Sequence, residues 1–200
     1  MARKYELKKR AEHFAATRRR IVEAAVHLHT TAGPAKTSIA AIAERAGVQR
    51  HTVYAHFPDL RSLIAACSGH WEEANAFPDP QIWSGIEDPE RRLRTALDAV
   101  YAWYERVEPD LALFTRDTSL VPETGEVMAQ QAEHIEALAD ELADGFRPKR
   151  GARAAIGHAL EFETWRSLVR RQGLSRRAAV NAMILLATSM PSRAANGRGG

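Results

Sequence analysis

Apolar residues recur at helical spacing along nearly the whole chain, and no stretch alternates apolar and polar residues as a half-buried strand would. The clearest apolar face is spaced i, i+3, i+4, i+7 and i+11, and Gly33 and Pro34 end it. We therefore predict an all-α protein with about nine helices. The residues of that first face are Ile21, Ala24, Ala25, Leu28 and Ala32.

Breaks between the periodic segments divide the chain into four regions. Residues 1–15 are basic and polar and indicate a partly helical arm, and residues 16–60 indicate a domain of three helices close together in sequence. Residues 61–190 predict a larger helical domain, and residues 191–200 a glycine-rich, disordered tail. The boundary between the two helical domains is expected within the long fourth helix.

Charge is distributed unevenly along the chain. Residues 1–70 contain 12 Lys and Arg against 5 Asp and Glu, a net charge of +7, whereas residues 71–200 contain 16 against 20, a net charge of −4. A basic N-terminal third on an acidic remainder suggests a head that binds a polyanion and a body with another task. A solvated basic tail has the same composition, so charge alone leaves both interpretations open.

The segment from Thr37 to Phe57 has the composition of a helix-turn-helix. Two short helices that cross steeply need small residues where they touch and a glycine where the chain reverses. Thr37 or Ser38 can cap the first of these helices, and Gly47 ends it. The small residues at the predicted crossing are Ala40, Ala41, Ala43 and Ala46.

The second of these helices predicts a polar outward face. On a helical wheel Val53 and Phe57 point inward, and His51 and Ala55 point outward. Arg50, in the first turn, can donate two hydrogen bonds to guanine in a major groove. Such a face fits DNA recognition, although an ordinary solvated face has the same pattern. The remaining side chains, which are placed to reach phosphates, are Thr52, Tyr54 and His56.

The sequence TSIAAIAERAGV, followed by TVYAHFP, is similar to the signature of TetR-family transcriptional regulators, and this resemblance covers about residues 17–64. The resemblance implies a repressor that binds double-stranded operator DNA as a homodimer and is released by a small ligand. Two departures weaken individual contacts. Gln49 replaces a frequent serine at the cap of the recognition helix, and Leu60 replaces a frequent phosphate-binding lysine, for which Arg61 is the candidate substitute.

Basic residues before and within the first helix extend the predicted interface. The run from Arg18 to Arg20 suggests a phosphate contact by Arg18 or Arg19, and residues 8–10 either reach an adjacent minor groove or only solubilise the chain. The complete set of predicted DNA contacts is Arg18, Thr37, Gln49, Arg50, His51, Thr52, Tyr54, His56 and Arg61.

The C-terminal segments predict a homodimer. The last helix, residues 175–190, is apolar nearly all round and must be covered on more than one side, and the helix before it, residues 150–172, has two apolar faces. Both resemble the helix pair that forms the four-helix dimer interface of the TetR family. We therefore predict dimerisation through the last two helices, with deep burial inside a monomer as the alternative. Two recognition helices in a dimer would read a palindrome.

Aromatic residues are frequent in the body of the chain, where the resemblance implies a ligand site. They can line an apolar pocket between helices for a small apolar or aromatic ligand, with His134 and Arg116 as polar anchors, although most of them are expected in the core. The candidate ligand-binding set is Tyr101, Tyr104, Phe114, Arg116, Met128, His134, Phe162 and Trp165.

Other function classes have little support in the sequence. His158 and Glu161 have the spacing of a helical di-metal motif without its further ligands, and no nucleophile elbow, phosphate loop or dinucleotide fingerprint is present, so we predict no enzyme, cofactor or metal. A single cysteine, Cys67, excludes an intramolecular disulfide and is expected as a buried apolar group.

No segment is long and apolar enough to span a membrane, and the N-terminus lacks an export signal, so we predict a cytoplasmic protein. Two alternatives to the ligand-responsive repressor stay open. One is a DNA-binding activator or ligand-independent regulator, and the other, less favoured, is a helical enzyme or ligand carrier.

Overall fold

A computed structural model describes residues 2–189, and within that range the chain forms ten α-helices and no strand. The predicted all-α class is confirmed, with one helix more than expected. The predicted disordered tail, residues 191–200, lies outside the described residues. In the part of the chain that the structure describes, no helix combines the length and the apolar character needed to cross a membrane.

Short connections join the helices. A 3-10 turn at Pro34–Lys36 separates the first two, and a π-helical turn at Ser167–Arg171 follows the ninth. The helices are α1 Ala2–Thr31, α2 Ile39–Ala46, α3 Arg50–His56, α4 Leu60–Ala74, α5 Gln81–Ser84, α6 Pro89–Asp117, α7 Pro122–Leu142, α8 Lys149–Leu160, α9 Phe162–Arg166 and α10 Arg176–Ser189.

Packing divides the described chain into two units. The N-terminal unit comprises the residues up to 76 together with residues 107–129, and the C-terminal unit comprises residues 77–106 together with those from 130 onward. One boundary lies between α4 and α5, and the other two fall within α6 and α7, so each of these two helices contributes residues to both units. Packing units need not fold independently, and the domain boundary near residue 60 stays a prediction.

The core of the N-terminal unit is built on the face of α1 that the sequence predicted. Ile21 and Ala25 are fully buried and pack with Ile42 of α2 and Leu63 of α4. Cys67 lies in the same core, and burial raises the pKa of its thiol to about 12. The thiol therefore stays protonated and acts as a small apolar group. This core fixes α2 and α3 to α1 and α4.

Helix α1 is longer than the sequence analysis predicted. Residues 2–15, expected as a partly helical arm, continue α1 without a break, so the helix has 30 residues. Alanine, lysine, arginine and glutamate favour helix, and neither glycine nor proline interrupts the chain before Gly33. An exposed ion pair between Lys8 and Glu12, at 3.9 Å, adds a small i,i+4 contribution.

The sequence pattern predicts a break at Pro109 and a separate shorter helix over about residues 110–119, but helix α6 passes through this proline. Pro109 lies inside one continuous helix that ends at Asp117. A proline removes one backbone donor and bends a helix, but packed residues on both sides can keep the helix intact. Val107 and Asp117 flank Pro109 and are only 2% and 1% exposed. The prediction of a separate short helix after Pro109 is therefore wrong.

In the C-terminal unit, the long helix predicted before the last one is divided at Glu161, whose backbone is extended. The break releases carbonyl groups at the end of α8 from helical hydrogen bonding, and two buried tyrosines of α6 use them. The Tyr101 hydroxyl donates to the carbonyl of Ala159 at 2.9 Å. The Tyr104 hydroxyl donates to the carbonyl of Leu160 at 2.6 Å, and burial raises the pKa of both tyrosines.

Candidate nucleic-acid interface

Both ends of α2 are capped by residues that the sequence analysis named. The Ser38 hydroxyl accepts a hydrogen bond from the amide of Ala41 at 3.2 Å. Gly47 ends the helix in the left-handed conformation, with φ 65°, and its N–H donates to the carbonyls of Ala43 and Glu44. A side chain would strain this conformation. These caps define the short turn between α2 and α3.

Helix α3 has one buried and one exposed face, as the helical wheel predicted. Val53 and Phe57 are 0% and 2% exposed and belong to the core. On the other side, Tyr54 is 54% exposed, and Arg50 and His51 are exposed in the first turn. Apart from Ala55, the outward face therefore consists of side chains that can form hydrogen bonds. The half-buried residues beside it are Thr52 and His56.

Gln49, the residue before α3, provides no side-chain cap. Its backbone is extended and its carbonyl accepts a hydrogen bond from the amide of Thr52 at 2.9 Å, but its side chain makes no capping bond. This confirms the weaker cap that the sequence predicted. The exposed carboxamide lies instead next to Arg50, at the same end of the helix as the predicted base contact.

Two side chains of α1 lie against the C-terminal end of α3. The rings of Phe14 and His56 are 4.0 Å apart, and the Arg18 guanidinium lies 4.7 Å from the centre of the Phe57 ring. Burial, and then the charge of Arg18, lowers the pKa of His56, so its imidazole is neutral at pH 7. Arg18 is thus held next to α3, whereas the contact of Phe14 was missed by the sequence analysis.

Two of the predicted DNA contacts have partners within the chain. The Thr37 hydroxyl donates to the carbonyl of Gly33 at 2.9 Å. Arg61 forms an ion pair with Glu126 of α7. A phosphate contact by either residue stays a prediction, and for Arg61 it would compete with this ion pair. Local sequence patterns do not reveal this ion pair, because Glu126 is distant from Arg61 in sequence.

A buried carboxylate that the sequence analysis missed closes the turn between α1 and α2. Asp117 is 1% exposed, and its Oδ2 accepts a hydrogen bond from the amide of Ala35 at 3.0 Å. Arg116 donates from Nε to Asp117 Oδ1 at 2.6 Å and from Nη2 to the carbonyl of Ala32 at 3.1 Å. Its bond to Arg116, above all, holds the pKa of Asp117 below the usual range. We call this arrangement the Asp117 clasp.

Gly33 is required by the Asp117 clasp. Its φ is 96°, and a Cβ at this position would lie 2.3 Å from both Arg116 Nη2 and Asp117 Oδ2. Ala35 and Asp117 are 82 positions apart, so helical periodicity contains no signal for their contact. Arg116, predicted as a ligand anchor, is part of the clasp.

Four of the eight predicted ligand residues come together in the C-terminal unit. Tyr104 has its ring centre 5.3 Å from that of Phe162 and 5.7 Å from that of Trp165. Tyr101 lies 6.4 Å from Tyr104, measured in the same way. We call these four residues the aromatic cluster. Tyr101 and Trp165 are fully buried, and Trp165 Nε1 has no hydrogen-bond partner among the described residues.

The other four predicted ligand residues lie elsewhere. Phe114, Arg116 and Met128 belong to the N-terminal unit, where Phe114 contacts Trp71 at 6.4 Å between ring centres. His134 is exposed on α7. Helical spacing predicts which aromatic residues are buried. It does not predict which of them pack together, because spacing contains no information on the packing unit.

The described residues contain no group of three or more His, Cys, Asp or Glu side chains that could hold a metal ion. His158 and Glu161, which share the spacing of a di-metal motif, lie 3.6 Å apart with more than half of each side chain exposed. The Thr164 hydroxyl lies 3.2 Å from His158 Nδ1. These contacts describe a surface pair at the break between α8 and α9.

Residues 21–67 match the family model of the bacterial regulatory proteins, tetR family. No curated protein sequence matches the chain. A TetR-like transcriptional regulator from Rhodococcus sp. RHA1 is similar in structure, with a TM-score of 0.58 and 20% identity over 86% of this chain and 94% of that one.

Two further solved structures are similar over nearly their whole length. The multidrug binding protein EbrR, complexed with imidazole, has a TM-score of 0.60 and 22% identity over 89% of this chain and 97% of its own. The fatty acid degradation regulator FadR from Bacillus halodurans has a TM-score of 0.56 and 18% identity over 86% and 95%. At identities this low, the likeness is one of fold.

Proposed function

Given that the chain has the fold of the TetR-family transcriptional regulators and carries their helix-turn-helix, we propose that it is a one-component transcriptional repressor. It binds a palindromic operator as a homodimer, and a small ligand releases it. The observation that carries this proposal is the outward face of α3, where Arg50, His51 and Tyr54 are exposed on a helix whose opposite side is buried. The proposed location is the cytoplasm, because a protein that binds operator DNA must share its compartment.

Each exposed side chain of α3 suits a different part of a DNA major groove. The Arg50 guanidinium can donate two hydrogen bonds to guanine, and the neighbouring Gln49 carboxamide can pair with adenine. His51 and Tyr54 carry donors that reach bases or phosphates. The cation–π contact with Phe57 holds Arg18 beside the helix, where its charge favours a phosphate. This division between base-reading and phosphate-binding residues predicts both sequence specificity and salt-sensitive affinity.

Dimerisation through residues 150–172 and 175–190, the last two helices that the sequence predicts, is supported by the way α10 is packed. Its buried residues cover one side, whereas Leu185 is 66% exposed and Ala178 and Ala182 are half-buried. These three residues share a helical face, so they form an apolar stripe. A second copy of the chain would bury this stripe and present a second α3 to the next half of a palindrome, about 34–36 Å away.

The aromatic cluster is the proposed ligand site. It supplies apolar surface on Tyr104, Phe162 and Trp165, and the indole N–H of Trp165 is a donor without a partner among the described residues. A small apolar or aromatic molecule with one acceptor would satisfy that donor. Because Tyr101 and Trp165 are fully buried, the ligand enters only if the cluster opens.

Helix α6 offers a route from the ligand to the DNA-binding helices. It carries Tyr101 and Tyr104 in the C-terminal unit and ends at Asp117, which binds the turn before α2. A ligand that moves the tyrosines would therefore favour a different position of the Asp117 clasp, and with it of α2 and α3. The ligand weakens DNA binding by the free energy with which it prefers that second state.

A fluorescence anisotropy titration tests the proposal. The full-length protein is titrated on its own upstream DNA, and on DNA selected from a random pool, over a series of salt concentrations. Wild type should bind one palindrome tightly, and affinity should fall steeply with salt. The double substitution Arg50→Ala and Tyr54→Ala should lower the specific affinity by at least about thirtyfold, since each base or phosphate contact contributes about 1–3 kcal/mol.

The matched control is Arg91→Ala, which removes an exposed arginine from α6 in the C-terminal unit and should leave operator affinity unchanged. Failure of the selected DNA to bind more tightly than random DNA would overturn the proposal. A promoter–reporter strain then separates repression from activation, because deletion of a repressor raises the expression of the regulated gene and deletion of an activator lowers it.

A further inference from the structure

A pocket of about 420 Å³ opens within the N-terminal unit, close to the DNA-binding helices and separate from the aromatic cluster. Its apolar surface comes from four helices and turns: Ile42 of α2, Phe57 after α3, Leu60 of α4 and Leu120 of the turn between α6 and α7. Tyr54 of α3 is also part of its lining. This volume is within the range of pockets that bind small organic molecules.

His29 is the buried polar group in this pocket. It lines the pocket from the end of α1 and is 3% exposed. Burial lowers its pKa to about 4, so the imidazole is neutral at pH 7. A neutral imidazole presents one donor and one acceptor, and a ligand in the pocket can form a hydrogen bond with either ring nitrogen.

The charges around the pocket disfavour an anionic ligand. No lysine or arginine lines the pocket, and its one carboxylate belongs to Asp59. Asp59 caps α4 by accepting a hydrogen bond from the amide of Ser62 at 2.7 Å, and this bond lowers its pKa, so it stays ionised. An anionic ligand would face this carboxylate with no cation to balance its own charge.

We propose that this pocket binds a small neutral aromatic molecule with a single hydroxyl or N–H group, whose hydrogen bond goes to His29. Apolar walls take the ring system, and the imidazole takes its polar group. Tyr54 lies both in the pocket and on the outward face of α3, so an occupied pocket opposes the docking of α3 on DNA. This last consequence rests on the proposed function, whereas the pocket itself does not.

Calorimetric titration of the full-length protein with 2-naphthol, without DNA, tests the site. Wild type should bind one molecule per chain. His29→Phe keeps the ring volume but removes the hydrogen bond, and should weaken binding about threefold to tenfold. Leu120→Trp fills the pocket from a residue that is 69% exposed, so it should preserve the fold and weaken binding more than about tenfold. Ile82→Trp, at a residue 53% exposed in the C-terminal unit, is the matched control and should bind as wild type does.

Absence of saturable binding at millimolar 2-naphthol would overturn the proposal. So would equal binding by wild type and Leu120→Trp, because the molecule would then occupy another site, such as the aromatic cluster. A second titration, with operator DNA present, measures the coupling. The expected result is that 2-naphthol weakens DNA binding by wild type but not by Leu120→Trp. Binding in the pocket with unchanged operator affinity would confirm the site and overturn its effect on DNA.

Discussion

The outward face of α3 and the aromatic cluster are both rich in aromatic and hydrogen-bonding side chains, but they differ in what those groups do. On α3, Arg50, His51 and Tyr54 are exposed. In the aromatic cluster, Tyr101 and Tyr104 donate to main-chain carbonyls and are buried. The first surface can bind a partner without rearranging, whereas the second is part of the core and must open before it binds anything. The four predictions that follow test this difference.

The largest difference is expected in stability. Trp165→Ala removes a fully buried side chain and should lower the free energy of unfolding by about 3–5 kcal/mol. Tyr54→Ala changes an exposed side chain and should lower it by less than about 0.5 kcal/mol. Urea unfolding of both variants at one protein concentration measures the two effects, since a dimer's stability depends on concentration. A loss above about 1 kcal/mol for Tyr54→Ala would mean that the α3 face supports the core.

Acid should destabilise the N-terminal unit through His29. Burial lowers the pKa of folded His29 to about 4, so between pH 6.5 and that value the unfolded chain binds a proton that the folded chain does not. Above pH 6.5 the imidazole is neutral in both the folded and the unfolded chain, so its titration does not lower the free energy of unfolding. As the pH decreases from 6.5 to about 4, the free energy of unfolding falls by about 3 kcal/mol in total.

Thermal unfolding over this pH range measures the effect of His29. The variant His29→Phe should lose this part of the pH dependence, and His13→Phe, at an exposed position of the same helix, should retain it. An unchanged pH profile in His29→Phe would contradict the prediction. The aromatic cluster should not contribute, because burial raises the pKa of its tyrosines and they stay protonated throughout.

Substitutions at the Asp117 clasp should lower the free energy of unfolding more than substitutions on the exposed face of α3. Gly33→Ala brings a Cβ within 2.3 Å of the Asp117 clasp at a positive φ, and should lower the free energy of unfolding by about 1–3 kcal/mol. Gly69→Ala is the matched control in the same unit. It lies inside α4 with no neighbour within 4 Å of the added Cβ, and should raise stability by about 0.5–1 kcal/mol. Equal signs for the two substitutions would count against the clasp.

The smallest effects are expected when the hydroxyl group is removed from a buried tyrosine, Tyr104, and from an exposed tyrosine, Tyr54. Tyr104→Phe leaves the carbonyl of Leu160 without its hydrogen bond and should lower the free energy of unfolding by about 1 kcal/mol, with little effect on operator affinity. Tyr54→Phe should leave stability unchanged and lower operator affinity about twofold to tenfold. Denaturation and anisotropy on the same preparations give both values, and a reversed pattern would show that the comparison is wrong.

Local sequence signals predicted the helix-turn-helix in detail. The caps at Ser38 and Gly47 and the burial of Val53 and Phe57 are properties of a few neighbouring residues, and the structure confirms them. Arg50, His51 and Tyr54 on α3 are exposed, whereas Thr52 and His56 are half-buried. Arg61 has an acidic partner that neighbouring residues do not reveal.

Contacts between residues that are distant in the chain could not be predicted from the sequence. The Asp117 clasp joins residues 82 positions apart, and the break at Glu161 is matched by tyrosine hydroxyls that come from α6. A single sequence contains no record of such distant partners. At Pro109 the local signal was wrong. Proline disfavours the interior of a helix and predicted a break, but packed residues on both sides keep α6 continuous.

The length of α1 has a mechanical consequence. Its side chains from Tyr5 to Ala16 are exposed, and Thr17 is the first buried one among the side chains that the structure describes, so these twelve residues place roughly 18 Å of helix before the core. Lys8 and Lys9 therefore lie on a rod and not on a flexible tether. A flexible segment would lose conformational entropy on contact with a polyanion, whereas a helical segment has already lost that entropy on folding. The distance of these basic residues from the core is therefore fixed by the helical rise of 1.5 Å for each residue.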